Sequence, residues 1–250
     1  MRIFIGIPAR MGSTRFPGKP LCNILNKSMI QHCYIRSSLS KHSSNLFVAT
    51  CDEEIKNHVE SFGGKVILTD KNIQRPGLRV AQAARELNLH DDDIVVVVQG
   101  DEPMIHPDMI DNAIEPLIKE NDVFVSNNCT TITDKDWRDP GEIKVVCDLK
   151  MNAMYFSRSP IPFARDTEEK WDGIKFLKPL KHLGIYAYKK QFLEDFLVSK
   201  ESQLERVEKL EQLRALQNGY EIAVATCEND SVGIDVPSDL KFFKTHRVNL

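Results

Sequence analysis

The sequence predicts an α/β protein built on a mostly parallel sheet, and three observations carry that expectation. Four short apolar runs, at 3–7, 46–49, 66–68 and 94–98, are nearly continuous in apolar character, as strands covered on both faces are. Helix-period segments separate them, giving a βαβα order whose crossovers are right-handed. The chain has 250 residues, 42% hydrophobic and 28% charged, enough to bury a sizeable core without disulfides or structural metals. In such sheets ligands bind beyond the carboxyl ends of the strands, so the loops leaving those ends are the ones to search for chemistry.

Taken in order, helical patterning follows the strands at 28–39, 53–62, 78–88 and 107–119. Gly63-Gly64 stops the second of these helices and Pro107 opens the fourth. From about residue 125 the pattern changes. Strands are expected at 145–146, 154–156 and 185–188, with a long polar stretch at 165–181 that holds Trp171, Gly173 and Pro179. Loops of that length usually serve as functional covers or are disordered. A charged helix at 203–218, a strand at 221–226 and a final helix from Pro237 complete the chain. There are no internal repeats.

Charge and composition narrow the partners. Lys and Arg number 33 against 36 Asp and Glu, a formal charge of −3, which argues against a nucleic-acid binder that relies on excess positive charge. No apolar run approaches the ~20 residues that cross a bilayer, and the first is too short for a signal-peptide core. A cytoplasmic protein with no membrane partner is expected. Cys22, Cys33, Cys51, Cys129, Cys147 and Cys227 form no C-x-x-C pair, so small, partly buried hydrophobes describe them better than zinc ligands.

The richest segment runs from Pro8 and Ala9 through Arg10, Ser13, Arg15 and Gly18 to Lys19 and Pro20. Gly and Pro would fix a loop whose backbone N–H groups converge on anionic oxygens, and three cations add charge at the same place. A triphosphate is the natural guest, although no Walker loop is present. A solvated basic turn would account for the charge but not for the Gly and Pro around it. A second site is Gln99-Gly100-Asp101-Glu102-Pro103, after the tetra-valine strand. An acid there is costly to desolvate unless a cation such as Mg²⁺ meets it. A turn acid capping the next helix explains Asp101 equally well. Asp235, in Val232-Gly233-Ile234-Asp235-Val236-Pro237, reads as the end of a short buried strand. It could share a metal with Asp101 or simply cap the helix opened by Pro237.

On a helical wheel of 203–218, Glu211 falls between Leu204 and Val207, and Arg214 between Val207 and Leu210. Charges on the apolar stripe suggest that Glu211 receives hydroxyls of a polar substrate; a surface i,i+3 pair with Arg214 is the alternative. Arg158, Arg165 and His182 lie next to predicted strands and could clamp a carboxylate, which Arg matches bidentately.

These residues together resemble the 3-deoxy-manno-octulosonate cytidylyltransferases, or CMP-KDO synthetases. The resemblance rests on I-P-A-R-x-x-S-T-R-x-P-G-K-P at 7–20, Gln99-Gly100-Asp101-Glu102-Pro103-Met104, Tyr155-Phe156-Ser157-Arg158, His182-Leu183-Gly184-Ile185-Tyr186, Leu210-Glu211-Gln212-Leu213-Arg214 and Gly233-x-Asp235-x-Pro237. It implies a Rossmann-like nucleotidyltransferase fold over 1–250 with a smaller lobe at about 127–190 for substrate and dimerisation. It also implies Mg²⁺, a homodimer, and CTP with an acidic 3-deoxy sugar as substrates. The pattern departs at 73–79: where the family has H-x-S-G-T-E/D-R, this chain has Ile73-Gln74-Arg75-Pro76-Gly77-Leu78-Arg79 and keeps only Arg79 of the polar end.

On that resemblance Pro8, Ala9, Arg10, Ser13, Lys19, Arg79 and Gln99 would bind the nucleotide. Asp101 and Asp235 would carry Mg²⁺, and Lys19 would offset charge as pyrophosphate leaves. Arg158 and Arg165 would grip the carboxylate, while His182, Tyr186, Glu211 and Gln212 would read sugar hydroxyls. The rival readings are a cytidylyltransferase for another acid (an amino-ulosonate or a phosphonate), a non-catalytic nucleotide-binding paralogue, and a metal-dependent glycosyltransferase.

Overall fold

The structure is a computed structural model and describes residues 1–13, 15–165 and 178–240. Two compact units divide the chain: Met1–Asp111 with the segment from Ser231 onward, and Asn112–Asp230. The second is wider than the 127–190 lobe drawn from sequence. No helix among the described residues is long and apolar enough to cross a membrane.

In the first unit, β1 (Ile3–Ala9) lies between β6 (Ile94–Val97) and β4 (Leu46–Thr50), and β5 (Val66–Leu68) pairs with β4, all parallel. Every residue of β4 and β6 is buried, as their unbroken apolar runs require. A small antiparallel pair, β2 (Asn23–Ile24) and β3 (Lys27–Ser28), precedes α1 (Met29–Ser37). Ser28 caps α1 by accepting from the Gln31 N–H at 3.2 Å. The crossover helices are α2 (Glu53–Ser61) and α3 (Pro76–Arg85), and α4 (Pro107–Lys119), which follows β6, has its first five residues in this unit and the rest in the second. α3 starts two residues before its sequence-predicted start, because Pro76 takes the first helical position, where no N–H is needed.

In the second unit, β7 (Val125–Thr131) pairs antiparallel with β10 (Leu180–Lys189) and parallel with β11 (Ala223–Thr226). The hairpin of β8 (Lys144–Cys147) and β9 (Ala153–Ser157) is fastened at both ends. One end pairs Val145 with Leu180, and the other bridges Asn152 to Ala223. A short helix, α5 (Asp134–Arg138), and α6 (Lys190–Val198) complete the layer. β7 was not expected from sequence. Its Ser126, Asn127 and Asn128 are fully buried yet polar, so no apolar run marks it. Asn127 is anchored on its donor side, where its Nδ2 donates to the Leu183 and Ile185 carbonyls at 2.8 and 2.7 Å at the bulge of β10.

The single helix expected at 203–218 is two helices, α7 (Gln203–Glu208) and α8 (Gln212–Gln217). Lys209 between them is left-handed, φ 59°, so the helical wheel loses its phase there. Val207, placed on the apolar stripe by that wheel, is 82% exposed. The alternative of a surface i,i+3 pair with Glu211 does not describe Arg214, which is buried. Arg214 Nε and Nη2 each donate at 2.7 Å to the carboxylate of Glu205, inside the protein. Glu205 also closes a capping box with Ser202. The final helix from Pro237 is described only as a 3₁₀ turn at Pro237–Asp239; the rest lies outside the described residues.

The buried pair yields a stability test. Arg214→Met should lower unfolding free energy by about 3–5 kcal/mol, since it strands the Glu205 carboxylate. Adding Glu205→Leu should restore most of that loss in urea melts, whereas additive losses would show that the two charges do not interact.

Candidate active site

β1 delivers Pro8 and Ala9 buried at its carboxyl end, and Arg10 opens the loop. The Met11 N–H donates to Asp52 Oδ2 at 2.8 Å, while the Met11 carbonyl accepts from Ser13 and Gly18 at 2.9 and 3.3 Å. Asp52 stands at the N-cap of α2 but makes no side-chain cap there. Ser13 Oγ accepts from the Phe16 N–H at 3.3 Å, so this hydroxyl shapes the loop. Thr14 lies outside the described residues. Gly18 is left-handed, φ 72°, a geometry that glycine adopts without strain, and it turns the chain into a 3₁₀ turn starting at Lys19. Arg10 Nη1 donates to Gln74 Oε1, which ties this loop to the divergent 73–79 segment.

The second loop leaves β6 through Gln99 to Asp101. A Cβ on Gly100 would stand 2.5 Å from the Pro8 carbonyl oxygen, so only glycine lets this loop press against the end of β1. The returning chain is stapled to the same loop, with the Ile234 N–H donating to the Asp101 carbonyl at 2.9 Å. Asp235 is thereby set beside Asp101. Lys19 Nζ bonds both, at 2.7 Å to Asp101 Oδ2 and 3.3 Å to Asp235 Oδ1, so the two carboxylates lie within the span of two hydrogen bonds. Arg15 engages both oxygens of Asp235 at 3.0 Å. Lys19 is itself 9% exposed, whereas the Asp101 and Asp235 carboxylates keep 35% and 53% of their surface.

This placement decides several sequence alternatives. Asp235 ends no buried strand, and it is Asp239 that accepts from the Asp235 and Val236 N–H groups, at 2.8 and 3.0 Å. The Asp235 carboxylate is left facing Lys19 and Arg15. No three His, Cys, Asp or Glu side chains among the described residues are grouped to hold a metal. A divalent ion here would therefore rest on two carboxylates and draw its other oxygens from phosphate and water, the mode usual for Mg²⁺. Arg79 is buried and donates to Thr69 Oγ1 and the Ile73 carbonyl, fixing the 69–73 loop from within.

The second unit brings His182 and Tyr186 together. Four residues apart on a regular strand they would be separated by about 13 Å. The bulge between Leu183 and Tyr186 shortens that path, and Tyr186 Oη shares a 2.5 Å hydrogen bond with His182 Nε2. Phe156 meets the imidazole edge-on at 5.4 Å. Burial, then the charges of Lys181 and Arg158, pushes the His182 pKa down to about 3, so the ring is neutral. Tyr186 is raised well above its ordinary value by burial, with Tyr188 and Glu211 adding to the shift. Glu211 stands at the N-cap position of α8 without a side-chain cap there, and Gln212 beside it is 6% exposed with an Nε2 that has no partner among the described residues. Arg158 donates from Nε to the Glu208 carbonyl and from Nη1 to the Pro140 carbonyl, both at 2.9 Å. Arg165 is exposed at the edge of the described residues.

Sequence reasoning missed Glu208, Lys144 and Asp52. Glu208 and Lys144 carry no side-chain signature in the sequence: Lys144 bonds main-chain carbonyls, which any residue offers, and Glu208 meets Ser157 Oγ and a backbone N–H about fifty residues away. Ser202-x-x-Glu205 is a capping box, a pattern legible in the sequence that places Glu205 at the start of α7.

The neutral imidazole has a pH consequence. An unfolded histidine titrates near 6.5, while folded His182 does so at about 3, so between those values the unfolded chain binds the extra proton. The stabilisation is complete above about pH 6.5 and is lost as pH falls through that window. Wild type should lose stability on acidification from pH 7 to 4 more steeply than His182→Gln, by up to about 1.4 kcal/mol per pH unit. Parallel curves in denaturant melts would mean that the ring protonates freely in the fold.

Comparison with known proteins agrees with this geometry. The family model described as Cytidylyltransferase matches residues 3–222. An 8-amino-3,8-dideoxy-manno-octulosonate cytidylyltransferase of Shewanella sp. (strain W3-18-1) is 43% identical over 242 residues, 96% of each chain. Its counterpart from Shewanella pealeana is 44% identical over 243 residues, again 96% of each. Among solved structures, a CMP:2-keto-3-deoxy-manno-octonic acid synthetase complexed with CTP superposes with TM-score 0.91 at 35% identity, over 100% of both chains. A cytidylyltransferase from Leptospira borgpetersenii shares the fold, with TM-score 0.64 at 19% identity over 98% of this chain and 86% of its own. With the family model spanning most of its length and such relatives covering nearly all of it, this chain belongs to the cytidylyltransferase family.

Proposed function

We propose that this protein transfers CMP from CTP to the anomeric hydroxyl of a 3-deoxy-ulosonic acid, KDO or its 8-amino relative, and releases pyrophosphate. The observation that carries the reading is the pair of carboxylates, Asp101 and Asp235, joined through Lys19 at the cationic loop. Nucleotidyl transfer needs positive charge where the triphosphate lies and no covalent protein intermediate. Arg10 and the N–H groups of the loop would hold phosphate oxygens, and the Lys19 ammonium would offset charge on the departing pyrophosphate. Asp101 and Asp235 would hold Mg²⁺, which when bound supplies Lewis-acid stabilisation of phosphate charge.

The acid half of the reaction falls to the second unit. Arg158 and Arg165 would grip the carboxylate of the sugar acid. Neutral His182, held by Tyr186, offers a nitrogen to a hydroxyl without adding charge. Gln212 supports the same reading through its buried, unpartnered amide nitrogen, a donor that a sugar hydroxyl would satisfy. Glu211 beside it would accept from another hydroxyl. The relatives named for the 8-amino sugar favour testing that acid alongside KDO. The homodimer implied by the resemblance is supported by β9, which pairs with β8 alone among the named strands and exposes Met154.

Asp101→Asn should reduce pyrophosphate release by roughly 10²–10³-fold or more while the melting curve stays that of wild type. Near-normal release by the folded variant would end the assignment of Asp101. Assays with KDO, its 8-amino analogue and a phosphonate, each with CTP, UTP, ATP or GTP, separate the sugar-acid reading from its rivals. No turnover on either ulosonate would refute it.

A further inference from the structure

Glu208 lies between the two motif segments that frame the proposed acid-binding pocket and belongs to neither. It ends α7, one residue before the left-handed Lys209. Its main-chain carbonyl, one of those a helix end leaves without an internal partner, accepts from Arg158 Nε at 2.9 Å. Its carboxylate accepts from the Arg158 N–H at 3.0 Å and from Ser157 Oγ at 2.5 Å. The Ser157 hydroxyl in turn accepts from the Ser159 N–H at 3.0 Å. A single residue therefore grips Arg158 at its backbone and its guanidinium.

Lys144 completes the grip from the other side. This fully buried ammonium spends its three protons on the carbonyls of Asp139, Glu142 and Arg158, at 2.8, 2.6 and 2.6 Å. Arg158 Nη1 is taken by the Pro140 carbonyl, inside the loop that Lys144 gathers. Nε and Nη1 are thus committed to main-chain oxygens, and Nη2 has no partner among the described residues. A flexible side chain has been reduced to one orientation, with Nη2 and the second proton of Nη1 to spare. That arrangement lowers the ordering cost of gripping an anion, because the rotamer is fixed before the anion arrives.

We propose that Glu208 is a positioning residue for the sugar acid's carboxylate, acting through Arg158 with Lys144 as its counterpart. This rests on the reading of Arg158 given above. Glu208 needs both carboxylate oxygens, since Ser157 and the Arg158 N–H each use one. Glu208→Gln keeps size and shape but removes the negative charge that strengthens both bonds, and its amide nitrogen can meet Ser157 only if that hydroxyl turns to accept. It should raise KM for the sugar acid about tenfold, the scale of one hydrogen bond to a charged group. The KM for CTP and the melting temperature should stay near wild type.

The decisive readout is discrimination between the sugar acid and its C1 carboxamide. Wild type should prefer the acid strongly, and Glu208→Gln should lose most of that preference, an effect that a merely structural role would not produce. Arg158→Lys is the companion variant. If Arg158→Lys raises the sugar-acid KM and Glu208→Gln leaves both KM and discrimination unchanged, the positioning role is overturned while the pocket reading stands. If Glu208→Gln weakens CTP and the sugar acid together at a lowered melting temperature, its role is structural and the proposal fails. If neither variant affects the acid, Arg158 does not bind the carboxylate, and both the pocket reading and the positioning role fall.

Discussion

The Lys19 ammonium is the tie on which the first unit's site depends. It comes from the loop after the first strand, Asp101 from the loop after a neighbouring strand, and Asp235 from a segment that returns more than two hundred residues later. Two carboxylates held this close repel one another unless a cation lies between them. The protein supplies that cation from its own chain, and it does so without burying the acids. Asp235 stays half exposed, and its bidentate Arg15 partner is 66% exposed. An ion pair that open to water is worth about 1 kcal/mol or less, so it can be exchanged for another cation and another anion without endangering the fold. Lys19 is the fixed member of the set and Arg15 the replaceable one.

The second unit handles charge differently. Glu205 with Arg214, and Lys144 with its three carbonyls, are withdrawn from solvent. Such groups gain little net stability over well-packed apolar ones, yet removing one partner is severe. Their value lies in geometry. The Glu205 pair holds α7 against α8 across the turn at Lys209, and that turn is what exposes the Glu208 carbonyl to Arg158. Lys144 collects the loop around Pro140 and fixes the backbone of Arg158 from below. The buried ionic network and the proposed acid-binding pocket are one construction.

How much of this was legible in the sequence depended on whether the signal was local. Continuous apolar runs marked β1, β4, β5 and β6, and Pro107 marked the start of α4, because burial on both faces and proline geometry act residue by residue. β7 escaped because its buried positions are Ser126, Asn127 and Asn128, tolerated where hydrogen-bonding partners such as the Ala113, Leu183 and Ile185 carbonyls come from other segments. The helix at 203–218 was drawn unbroken because a left-handed lysine leaves no mark in a polar run. With the stripe broken at Lys209, Val207 faces solvent, whereas Arg214 keeps the inward place the wheel gave it and answers to Glu205.

By itself the sequence determined the α/β class, the four parallel strands of the first unit, the cationic loop from Arg10 to Lys19, and the pair of aspartates as the acids to watch. Those follow from periodicity, turn chemistry and residue type, which operate within a few residues. Only the tertiary structure decided that Asp101 and Asp235 share one ammonium, that Arg214 answers to Glu205, and that Glu208 holds Arg158. On an unbroken helix Glu205 and Arg214 would lie about 13 Å apart along the axis, too far for a bidentate bond. Folding the chain back at Lys209 closes that gap, and distance through space, unlike spacing along the chain, is fixed only when all the elements have packed.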